Sequence, residues 1–339
     1  MKVIILTEGG KNTGFGHITR CLSLYQAFEE KGVQPKFIIN GDNSIIDLVK
    51  DADYKLINWL ENQDQILDEI QNADIVIIDS YLADKSFYEE VSKIVKTPVY
   101  IDDNKRIDYP KGFVVNGNIH AEELDYPKKE GITYLLGTKY TPLRKAFWDI
   151  PEKKLKNNVE TVLITFGGND IRNLTPKVLK MLKENYPSLQ KLVVIGQGFK
   201  NIDEIKKESD EKDELFYNPD AKMMLGLMLK ADIAISAGGQ TLYELARVCV
   251  PTIAVIVGEN QIKNVAGFKK AGFINHTFDW QDNDLIDKIH LSINKILNTS
   301  KLNGCNTLTC HYIDGKGSLR IVNFINKLLY KVANEKHNT

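Results

Sequence analysis

Short apolar runs alternate with amphipathic segments along nearly the whole chain. In the first half, six such runs predict strands, and they are KVIIL (2–6), KFIIN (36–40), YKLIN (54–58), DIVIID (74–79), PVYID (98–102) and FVVN (113–116). These runs lack a strict polar alternation, which is typical of parallel strands that are buried on both faces. The pattern therefore predicts a parallel sheet covered by helices.

The segment after the first strand predicts an amphipathic helix. Its apolar residues recur with helical spacing at Ile18, Cys21, Leu22, Tyr25 and Phe28. Gly32 then stands where a glycine commonly ends a helix. This order of strand and helix repeats through the first half of the chain.

The charged segment FWDIPEKKLKNNVE (147–160) interrupts this order and is predicted to be a linker. Strands then resume with TVLITFGG (161–168), KLVVIG (191–196), ELFYN (214–218), DIAISAGG (232–239) and PTIAVIVG (251–258). For 339 residues, two domains are the default at roughly 100–200 residues each. The expected fold class is α/β, with two Rossmann-like domains whose parallel sheets face a central cleft. The expected domain bounds are 1–150, 158–320, and 321–339 for a terminal helix and tail.

Charge and hydropathy narrow the possible partners. Lys and Arg number 44 and Asp and Glu number 45, so the formal net charge is 44 − 45 = −1. Without a basic field we expect no nucleic-acid binding, and any phosphate site must be local. No apolar stretch approaches the ~20 residues of a membrane span, and the first run is too short for a signal peptide. We therefore expect a cytoplasmic protein without a membrane span, and no obligate protein partner is indicated.

The four cysteines, Cys21, Cys249, Cys305 and Cys310, lack a disulfide-like spacing and predict reduced thiols. Cys305 and Cys310 with His311 could form part of a metal site. A structural zinc site has about four ligands, and no second ligand pair is visible, so no metal is expected.

The turn after the first strand reads EGGKNTGFGHITR. Gly14 and Gly16 fit the first two glycines of a dinucleotide-binding fingerprint, but Thr19 stands at the third position. The next strand stops at Asn40 without the acid that would bind ribose, so a nicotinamide enzyme is disfavoured. The glycines still let a ligand approach the backbone, and they start a helix near His17.

His17 would lie in the first turn of that helix, at the positive end of the helix dipole. This position favours a neutral imidazole, which can act as a base near pH 7. Alternatively, the histidine only caps the helix or forms a hydrogen bond in the loop. Position alone does not separate these two interpretations.

Two further sets of polar residues follow strands of the first half. Asp79 and Tyr81 lie at the carboxyl end of the fourth strand, where open α/β sheets bind ligands. Asp79 is either catalytic or a structural acceptor for a neighbouring loop, and Tyr81 could bind a sugar or a water. Asp102, Asp103 and Asn104 follow the fifth strand. Paired carboxylates can perform acid–base chemistry or bind a cation, but we interpret these residues as the end of a strand and the start of a turn.

Glycine-rich turns follow strands of the second half. Gly167, Gly168 and Asn169 come after its first strand, where adjacent glycines let the chain pass close to a sugar or phosphate. Asn260 and Gln261 form another polar cluster after a later strand.

The strongest phosphate signal is a turn that runs directly from a strand into a helix. Its residues are Ala237, Gly238, Gly239, Gln240 and Thr241. The N–H groups at the start of such a helix can hold a diphosphate. Glu244 lies about one helical turn further on and can reach a ribose diol. The alternative is a glycine-rich connection followed by a surface glutamate.

In order along the chain, these motifs resemble a known family. They are G-x-G-H-x-x-R (14–20), IDSY (78–81), FGGND (166–170), SAGGQTLYE (236–244), GENQ (258–261), and the longer stretches VVNGNIHA (114–121), GTKYTPLRKAF (137–147) and IDGKGSLRIV (313–322). The set resembles the UDP-2,4-diacetamido-2,4,6-trideoxy-β-L-altropyranose hydrolases of pseudaminic acid synthesis. These group with spore-coat polysaccharide proteins that are described as predicted glycosyltransferases.

The resemblance implies a GT-B fold and a hydrolysis that needs no metal or other cofactor. It implies that His17 activates water, Tyr81 lines the sugar pocket, and Glu244 with the preceding turn holds the nucleotide. We expect Arg20 and Asp79 to bind substrate as well. The implied substrate is a UDP-linked 6-deoxy-diacetamido sugar, which would be cleaved with inversion to UDP and a free sugar for nonulosonate synthesis.

Two departures from the family pattern leave the sugar open. Two glycines precede Gln240 where related hydrolases can carry serines, and the chain from about residue 276 is longer than in the shortest members. A GT-B glycosyltransferase, in which an acceptor hydroxyl replaces water, is an alternative. A non-catalytic module that binds a nucleotide sugar is another, because a fold does not fix a function.

Overall fold

The structure is a computed structural model that describes residues 1–298 and 312–337 except 12, 155 and 157. The chain divides into two compact units. The first comprises Met1–Lys145 with the chain from Gly315 on, and the second comprises Ala146–Asp314. Each unit is built around one sheet.

Seven parallel strands form the sheet of the first unit, and they are β1 (Val3–Gly9), β2 (Lys36–Gly41), β3 (Asp53–Leu56), β4 (Ile75–Asp79), β5 (Thr97–Ile101), β6 (Gly112–Asn116) and β7 (Ile132–Leu136). Their spatial order is β3-β2-β1-β4-β5-β6-β7. Thr7 is the register partner of Asp79, so β1 and β4 end side by side. Every residue of these two strands is buried, which explains their lack of polar alternation.

Four helices lie between the strands of this sheet, and they are α1 (Gly16–Glu29), α2 (Ile46–Val49), α3 (Gln63–Ile70) and α4 (Lys85–Ile94). Most of the apolar face predicted for α1 is buried, with Ile18, Tyr25 and Phe28 at most 1% exposed, whereas Leu22 is half-buried. Tyr25 also stacks on Phe37 of β2, with ring centroids 5.1 Å apart. Each such buried side chain stabilises the fold by about 1.5–3 kcal/mol, so α1 is firmly held beside the sheet.

The C-terminal helix (Gly317–His337) packs on the first unit. A Cβ added to Gly317 would lie 2.0 Å from the carbonyl oxygen of Thr141, so the two backbones approach closely. Arg320 donates a hydrogen bond to the carbonyl of Lys139 at 3.0 Å. The chain therefore returns to the first unit at Gly315, whereas the sequence grouped residues up to 320 with the second domain.

Six parallel strands form the sheet of the second unit, and they are β8 (Thr161–Thr165), β9 (Gln190–Ile195), β10 (Glu214–Tyr217), β11 (Ile233–Ala237), β12 (Thr252–Ile256) and β13 (His276–Asp279). Their order is β10-β9-β8-β11-β12-β13. The helices of this unit are α5 (Thr175–Asn185), α6 (Ile202–Glu208), α7 (Ala221–Lys230), α8 (Thr241–Val248), α9 (Ile262–Lys270) and α10 (Leu285–Asn298). Short 3-10 helices occur in both units, and they are Asn43–Ile45, Ala121–Leu124, Thr138–Tyr140, Lys145–Phe147 and Glu259–Gln261.

The prediction of two Rossmann-like α/β domains with parallel sheets is confirmed. In each sheet the strand order reverses next to the first strand, between β1 and β4 and between β8 and β11. In open α/β sheets, ligands bind beyond the carboxyl ends of the strands at such a switch point.

Among the described residues, no helix combines the length and apolar character needed to cross a bilayer.

Candidate functional site

A tight loop carries the chain from β1 into α1. Gly10 and Gly14 exchange two backbone hydrogen bonds, at 3.0 Å and 2.8 Å, which closes the loop. Gly14 has a φ of +83°, a conformation that glycine adopts without strain. A Cβ added to Gly14 or Gly16 would meet nothing within 4 Å, so the space beside this loop is open. His17 follows at once, in the first turn of α1 at the switch point.

The imidazole of His17 is held by the carboxylate of Asp79. Its Nδ1 lies 2.6 Å from Asp79 Oδ1, and the two residues are 8% and 0% exposed. An ionised carboxylate only accepts hydrogen bonds, so Nδ1 must carry the proton. The remaining ring nitrogen, Nε2, is then an unprotonated acceptor when the imidazole is neutral. This is the tautomer that a general base requires at Nε2.

Arg20, one helical turn after His17, neutralises the same carboxylate. Its Nε donates to Asp79 Oδ2 at 2.5 Å and its Nη2 donates to Oδ1 at 2.6 Å, which is a two-point pair. Nη2 also lies 3.0 Å from Nδ1 of His17. A guanidinium cannot accept, so this contact would require an unprotonated Nδ1, whereas the shorter contact to Asp79 requires Nδ1–H. The contact with the carboxylate determines the tautomer, because the lone pairs of an unprotonated Nδ1 and of the carboxylate would repel each other at 2.6 Å.

Opposing effects determine the charge of Asp79. Burial raises the pKa of this carboxyl, but the charge of Arg20 and the hydrogen bonds from Arg20 and His17 outweigh burial, so the net pKa lies well below the ordinary 3.8. Asp79 is therefore ionised at neutral pH. Of the two possibilities that the sequence left open, the structure shows the structural acceptor, because Asp79 accepts from His17 and Arg20 and so anchors α1 to β4. A catalytic role for Asp79 stays a prediction.

Tyr81 and Asp103 extend this cluster. The Tyr81 hydroxyl donates to Asp103 Oδ2 at 2.5 Å, and Arg20 Nη1 donates to Asp103 Oδ1 at 2.6 Å. The rings of Tyr81 and His17 meet edge to face, with centroids 4.5 Å apart. The interpretation of Asp103 as a turn residue is therefore incomplete, since its carboxylate joins the side chains predicted to act on substrate. Its position after β5, the strand beside β4, is the signal that could have placed it there.

Glu8 also belongs to this region, and the sequence analysis did not single it out. It is 2% exposed at the end of β1 and accepts from the Ser80 hydroxyl at 2.5 Å and from the Tyr81 N–H at 2.7 Å. These bonds fix the turn that follows β4, from Asp79 to Tyr81. A lone acid at the end of the apolar run VIILTEG is the available sequence signal.

The switch point of the second unit is built from backbone groups and amides. Gly238 N–H donates to the Val255 carbonyl and to Gln261 Oε1, both at 3.0 Å. Gln261 Oε1 also accepts from Val257 N–H at 3.0 Å. A Cβ on Gly238 would lie 2.4 Å from Val265 Cγ2, so this position requires glycine. The oxygen of the Gln261 side chain thus braces the turn between β11 and α8.

The rest of this turn leads into α8. Ala237 ends β11 and is buried, whereas a Cβ on Gly239 would meet its nearest atom, Gln261 Nε2, at an ordinary 3.6 Å. Gln240 and Thr241 then begin the helix. Glu244 is 3% exposed, so the alternative of a surface glutamate is wrong.

The turn after β8 lies at the other side of the same switch point. Gly167 has a φ of +75°, and the Gly168 carbonyl accepts from Gly198 N–H at 2.9 Å. Asn169 lies against Gly198, because its Oδ1 would be 2.1 Å from a Cβ there. Asp170 is buried and accepts from the backbone at the start of α5, so it serves that helix. Asn260 is exposed in the 3-10 helix after β12.

Cysteine chemistry differs from the expectation at one position. Cys249 takes part in a disulfide, so the prediction of reduced thiols is wrong for this residue. Spacing along the chain does not reveal which cysteines the fold brings together. Cys21 is free and buried. Cys305, Cys310 and His311 lie outside the described residues. In the part of the chain that the structure describes, no group of three or more potential ligands is arranged for a metal ion.

Comparisons with known proteins fit this architecture. The model of the glycosyltransferase family 28 C-terminal domain matches residues 161–304. Acinetobacter baumannii MurG shares the fold with a TM-score of 0.65 at 12% identity, over 96% of this chain and 100% of that one. The calicheamicin glycosyltransferase CalG4 does so with a TM-score of 0.61 at 11% identity, over 98% and 99% of the two chains. These likenesses show the fold alone, and they confirm the GT-B architecture.

Curated relatives are more informative about family. Uncharacterized protein MJ1062 of Methanocaldococcus jannaschii is 27% identical over 86% of this chain and 63% of its own length. Helicobacter pylori pseudaminic acid cytidylyltransferase and UDP-2,4-diacetamido-2,4,6-trideoxy-β-L-altropyranose hydrolase is 26% identical over 82% and 48%. Bacillus subtilis spore coat polysaccharide biosynthesis protein SpsG is 24% identical over 97% and 98%. The chain thus spans less than two thirds of the length of the first two relatives. The predicted resemblance to hydrolases of this name and to SpsG is confirmed.

Proposed function

We propose that the protein is a nucleotide-sugar hydrolase that cleaves a UDP-linked 6-deoxy-diacetamido sugar to UDP and the free sugar. The observation that carries this proposal is the pair of His17 and Asp79 at the first switch point, which leaves Nε2 of His17 as an acceptor. The names of the relatives support an enzyme that acts on nucleotide sugars in the synthesis of pseudaminic-type acids or polysaccharides. The free sugar would then supply nonulosonic acid synthesis.

In the proposed reaction, His17 Nε2 takes one proton from a water molecule while the water oxygen attacks the anomeric carbon. The bond between that carbon and the phosphate oxygen breaks, and its electron pair leaves with UDP. A single attack from the side opposite the leaving group inverts the anomeric configuration. Asp79 keeps Nδ1 protonated and stabilises the imidazolium that forms, as the orienting carboxylate does in hydrolytic triads.

The second unit would hold the nucleotide. UDP leaves more readily if its developing charge is stabilised, and the start of α8 supplies N–H groups and a positive dipole end for this purpose. Gly238 N–H already bonds to Val255 and Gln261, so the diphosphate would approach the backbone at Gly239 instead. Glu244, one turn into the helix, would accept from the ribose hydroxyls.

A GT-B glycosyltransferase is the second candidate, favoured by the family 28 match over residues 161–304. The test is UDP release from the UDP-linked diacetamido sugar in buffer without any acceptor. Release at a rate that an added acceptor does not raise supports hydrolysis. Release that strictly depends on an acceptor favours transfer, and UDP binding without turnover of any UDP-sugar favours a binding module.

A further inference from the structure

The hydrogen of the Tyr81 hydroxyl is committed to Asp103. Three donors converge on this carboxylate, with Arg20 Nη1 at 2.6 Å and Asn118 Nδ2 at 2.8 Å on Oδ1, and the Tyr81 hydroxyl at 2.5 Å on Oδ2. Burial raises the pKa of Asp103, but the charge and hydrogen bond of Arg20 outweigh this and the net pKa is lowered, so Asp103 is ionised at neutral pH. An ionised carboxylate cannot donate, and Tyr81 must therefore give its only hydroxyl hydrogen to Asp103.

Tyr81 consequently offers only lone pairs to whatever binds beside it. Its side chain is accessible, since the residue is 40% exposed. His17 is in the same situation, because its Nδ1 hydrogen is committed to Asp79 and its Nε2 is an acceptor. The two rings lie with centroids 4.5 Å apart. Each of the two neighbouring rings thus carries an acceptor, and each ring is held by a different carboxylate. A small molecule that lies against both rings and offers two hydrogens matches this pair.

We propose that Asp103 is a positioning residue that makes Tyr81 an obligate acceptor, so that Tyr81 and His17 together hold a water molecule by its two hydrogens. The inference rests on the proposed hydrolysis. In the attack, the water oxygen bonds to the anomeric carbon, one hydrogen passes to His17 Nε2, and the other stays on the new sugar hydroxyl while it donates to Tyr81.

This arrangement selects water over an alcohol. An alcohol carries one hydroxyl hydrogen, and once His17 accepts it, Tyr81 is left without a donor. Tyr81 then lacks the hydrogen bond that a water molecule would donate to it, which makes an alcohol the less favourable nucleophile. The pair of acceptors thus gives a physical reason for hydrolysis on a fold that is shared with glycosyltransferases.

The variant Asp103→Asn changes the direction of one hydrogen bond. Arg20 and Asn118 both donate to Oδ1, so the amide must place its oxygen there and turn its NH2 towards Tyr81. The amide then donates to the Tyr81 oxygen, and the hydroxyl hydrogen points away from residue 103. Tyr81 becomes a donor where the water needs an acceptor.

Asp102 provides a matched control. It is the adjacent carboxylate, it is 2% exposed, and it accepts the hydroxyl of a different tyrosine, Tyr126, as well as the N–H of Arg106. Asp102→Asn therefore makes the same chemical change beside a tyrosine that has no contact with His17 among the described interactions.

The experiment measures kcat and KM of Asp103→Asn, Tyr81→Phe, the double variant and Asp102→Asn with the UDP-linked diacetamido sugar. Methanol is added as a competing nucleophile, and NMR gives the ratio of methyl glycoside to free sugar. We expect Asp103→Asn and Tyr81→Phe each to lower kcat about tenfold, the effect of one oriented hydrogen bond, with KM unchanged. We expect both to raise the methyl glycoside ratio and Asp102→Asn to leave it unchanged.

The double variant separates positioning from a general structural effect. If Asp103 acts through Tyr81, the double variant is no slower than Tyr81→Phe alone. Effects that multiply to about a hundredfold, or an Asp103→Asn enzyme that matches Asp102→Asn in kcat and product ratio, would overturn the proposal. Should Asp103→Asn fail to fold, the product ratio of Tyr81→Phe alone decides. Failure of the hydrolase proposal is visible separately, since the unmodified enzyme would then release no UDP without an acceptor.

Discussion

The two switch points of this protein have the same topology and opposite chemistry. In the first unit, the turns after β1 and β4 bring together ionisable side chains, with Asp79 bound by both His17 and Arg20. In the second unit, the turns after β8 and β11 contain glycines and amides, and Gln261 braces the backbone at Gly238. The parallel sheet fixes where a ligand site can form, and the residue types at the strand ends determine what the site can do.

The difference divides the proposed reaction into two tasks. A neutral backbone surface at a helix start suits an anionic leaving group, and it needs no proton transfer. A histidine oriented by a buried carboxylate suits proton removal from water. Changes in the first unit should therefore alter the rate, and changes in the second unit should alter nucleotide affinity.

The largest effect is expected for His17→Asn. A general base contributes about 10²–10⁴-fold, so kcat should fall by that amount while the Kd for UDP stays the same. Steady-state UDP release and calorimetry with UDP measure the two quantities. His290→Asn is the control, because His290 also bonds to another side chain, Tyr186, but lies on α10 of the second unit. Equal kcat values for the two variants would end the assignment of His17 as base.

Asp79→Asn should have the next largest effect, on both rate and stability. The amide can donate to Nδ1, which would move the imidazole hydrogen to Nε2 and remove the acceptor, so we expect kcat to fall about 10²-fold or more. Breaking one partner of a buried ion pair costs about 3 kcal/mol. Denaturant titration with kcat measurement tests both. Asp170→Asn, a buried carboxylate that serves α5, should lower stability without changing kcat.

The stability effect of Asp79 has a definite pH dependence. Its pKa in the folded protein lies below the ordinary 3.8, so on acidification the unfolded chain binds the proton first. The stabilisation is therefore complete well above pH 3.8 and is lost as the pH falls below that value. The difference in unfolding free energy between the wild type and Asp79→Asn should narrow as the pH falls below about 4. A difference that stays constant or widens as the pH falls through this range would contradict the assignment.

A glycine pair in the second unit separates stability from affinity. Gly238→Ala should destabilise by about 2 kcal/mol, since its Cβ would be 2.4 Å from Val265, whereas Gly239→Ala meets only an ordinary contact at 3.6 Å. If the diphosphate approaches the backbone at Gly239, that variant keeps its melting temperature but binds UDP more weakly. Thermal melts and UDP calorimetry distinguish the outcomes. Unchanged UDP affinity in Gly239→Ala would move the phosphate site elsewhere.

The smallest effect is expected for Glu244→Gln. Loss of one charge-assisted hydrogen bond to ribose should weaken UDP binding about tenfold and raise KM, with kcat unchanged. Glu259→Gln, at an exposed position after β12, is the control. A fall in kcat at constant KM would contradict the division of tasks between the units.

Sequence reasoning found the residues that the strand ends present directly. His17, Asp79 and Tyr81 could be predicted because each closely follows a recognisable buried strand. Asp103 was recognised as a candidate but interpreted as a turn residue, because its contacts with Arg20 and Tyr81 depend on β5 lying beside β4 and on the direction of the side chains. Gln261 was expected to contact substrate, and its bracing of the Gly238 turn depends on a hydrogen bond between segments 23 residues apart.

Edge strands were harder to predict than central ones. Neither β7 nor β13 is among the predicted strands. The sequence of β13 is HTFD, and all four residues are only half-buried at the edge of the sheet, so it has no apolar run. The run ITYLL of β7 carries the signal of a strand and was missed. The central strands, which are buried on both faces, carried the fold prediction.

The most direct test of the proposed hydrolysis is a reaction of the UDP-linked diacetamido sugar in H₂¹⁸O without an acceptor. We predict that the label appears on the anomeric carbon of the free sugar, that UDP is unlabelled, and that NMR first detects the inverted anomer. Label in the terminal phosphate of UDP, or a first product that retains the anomeric configuration, would contradict a water molecule activated by His17 at the anomeric carbon.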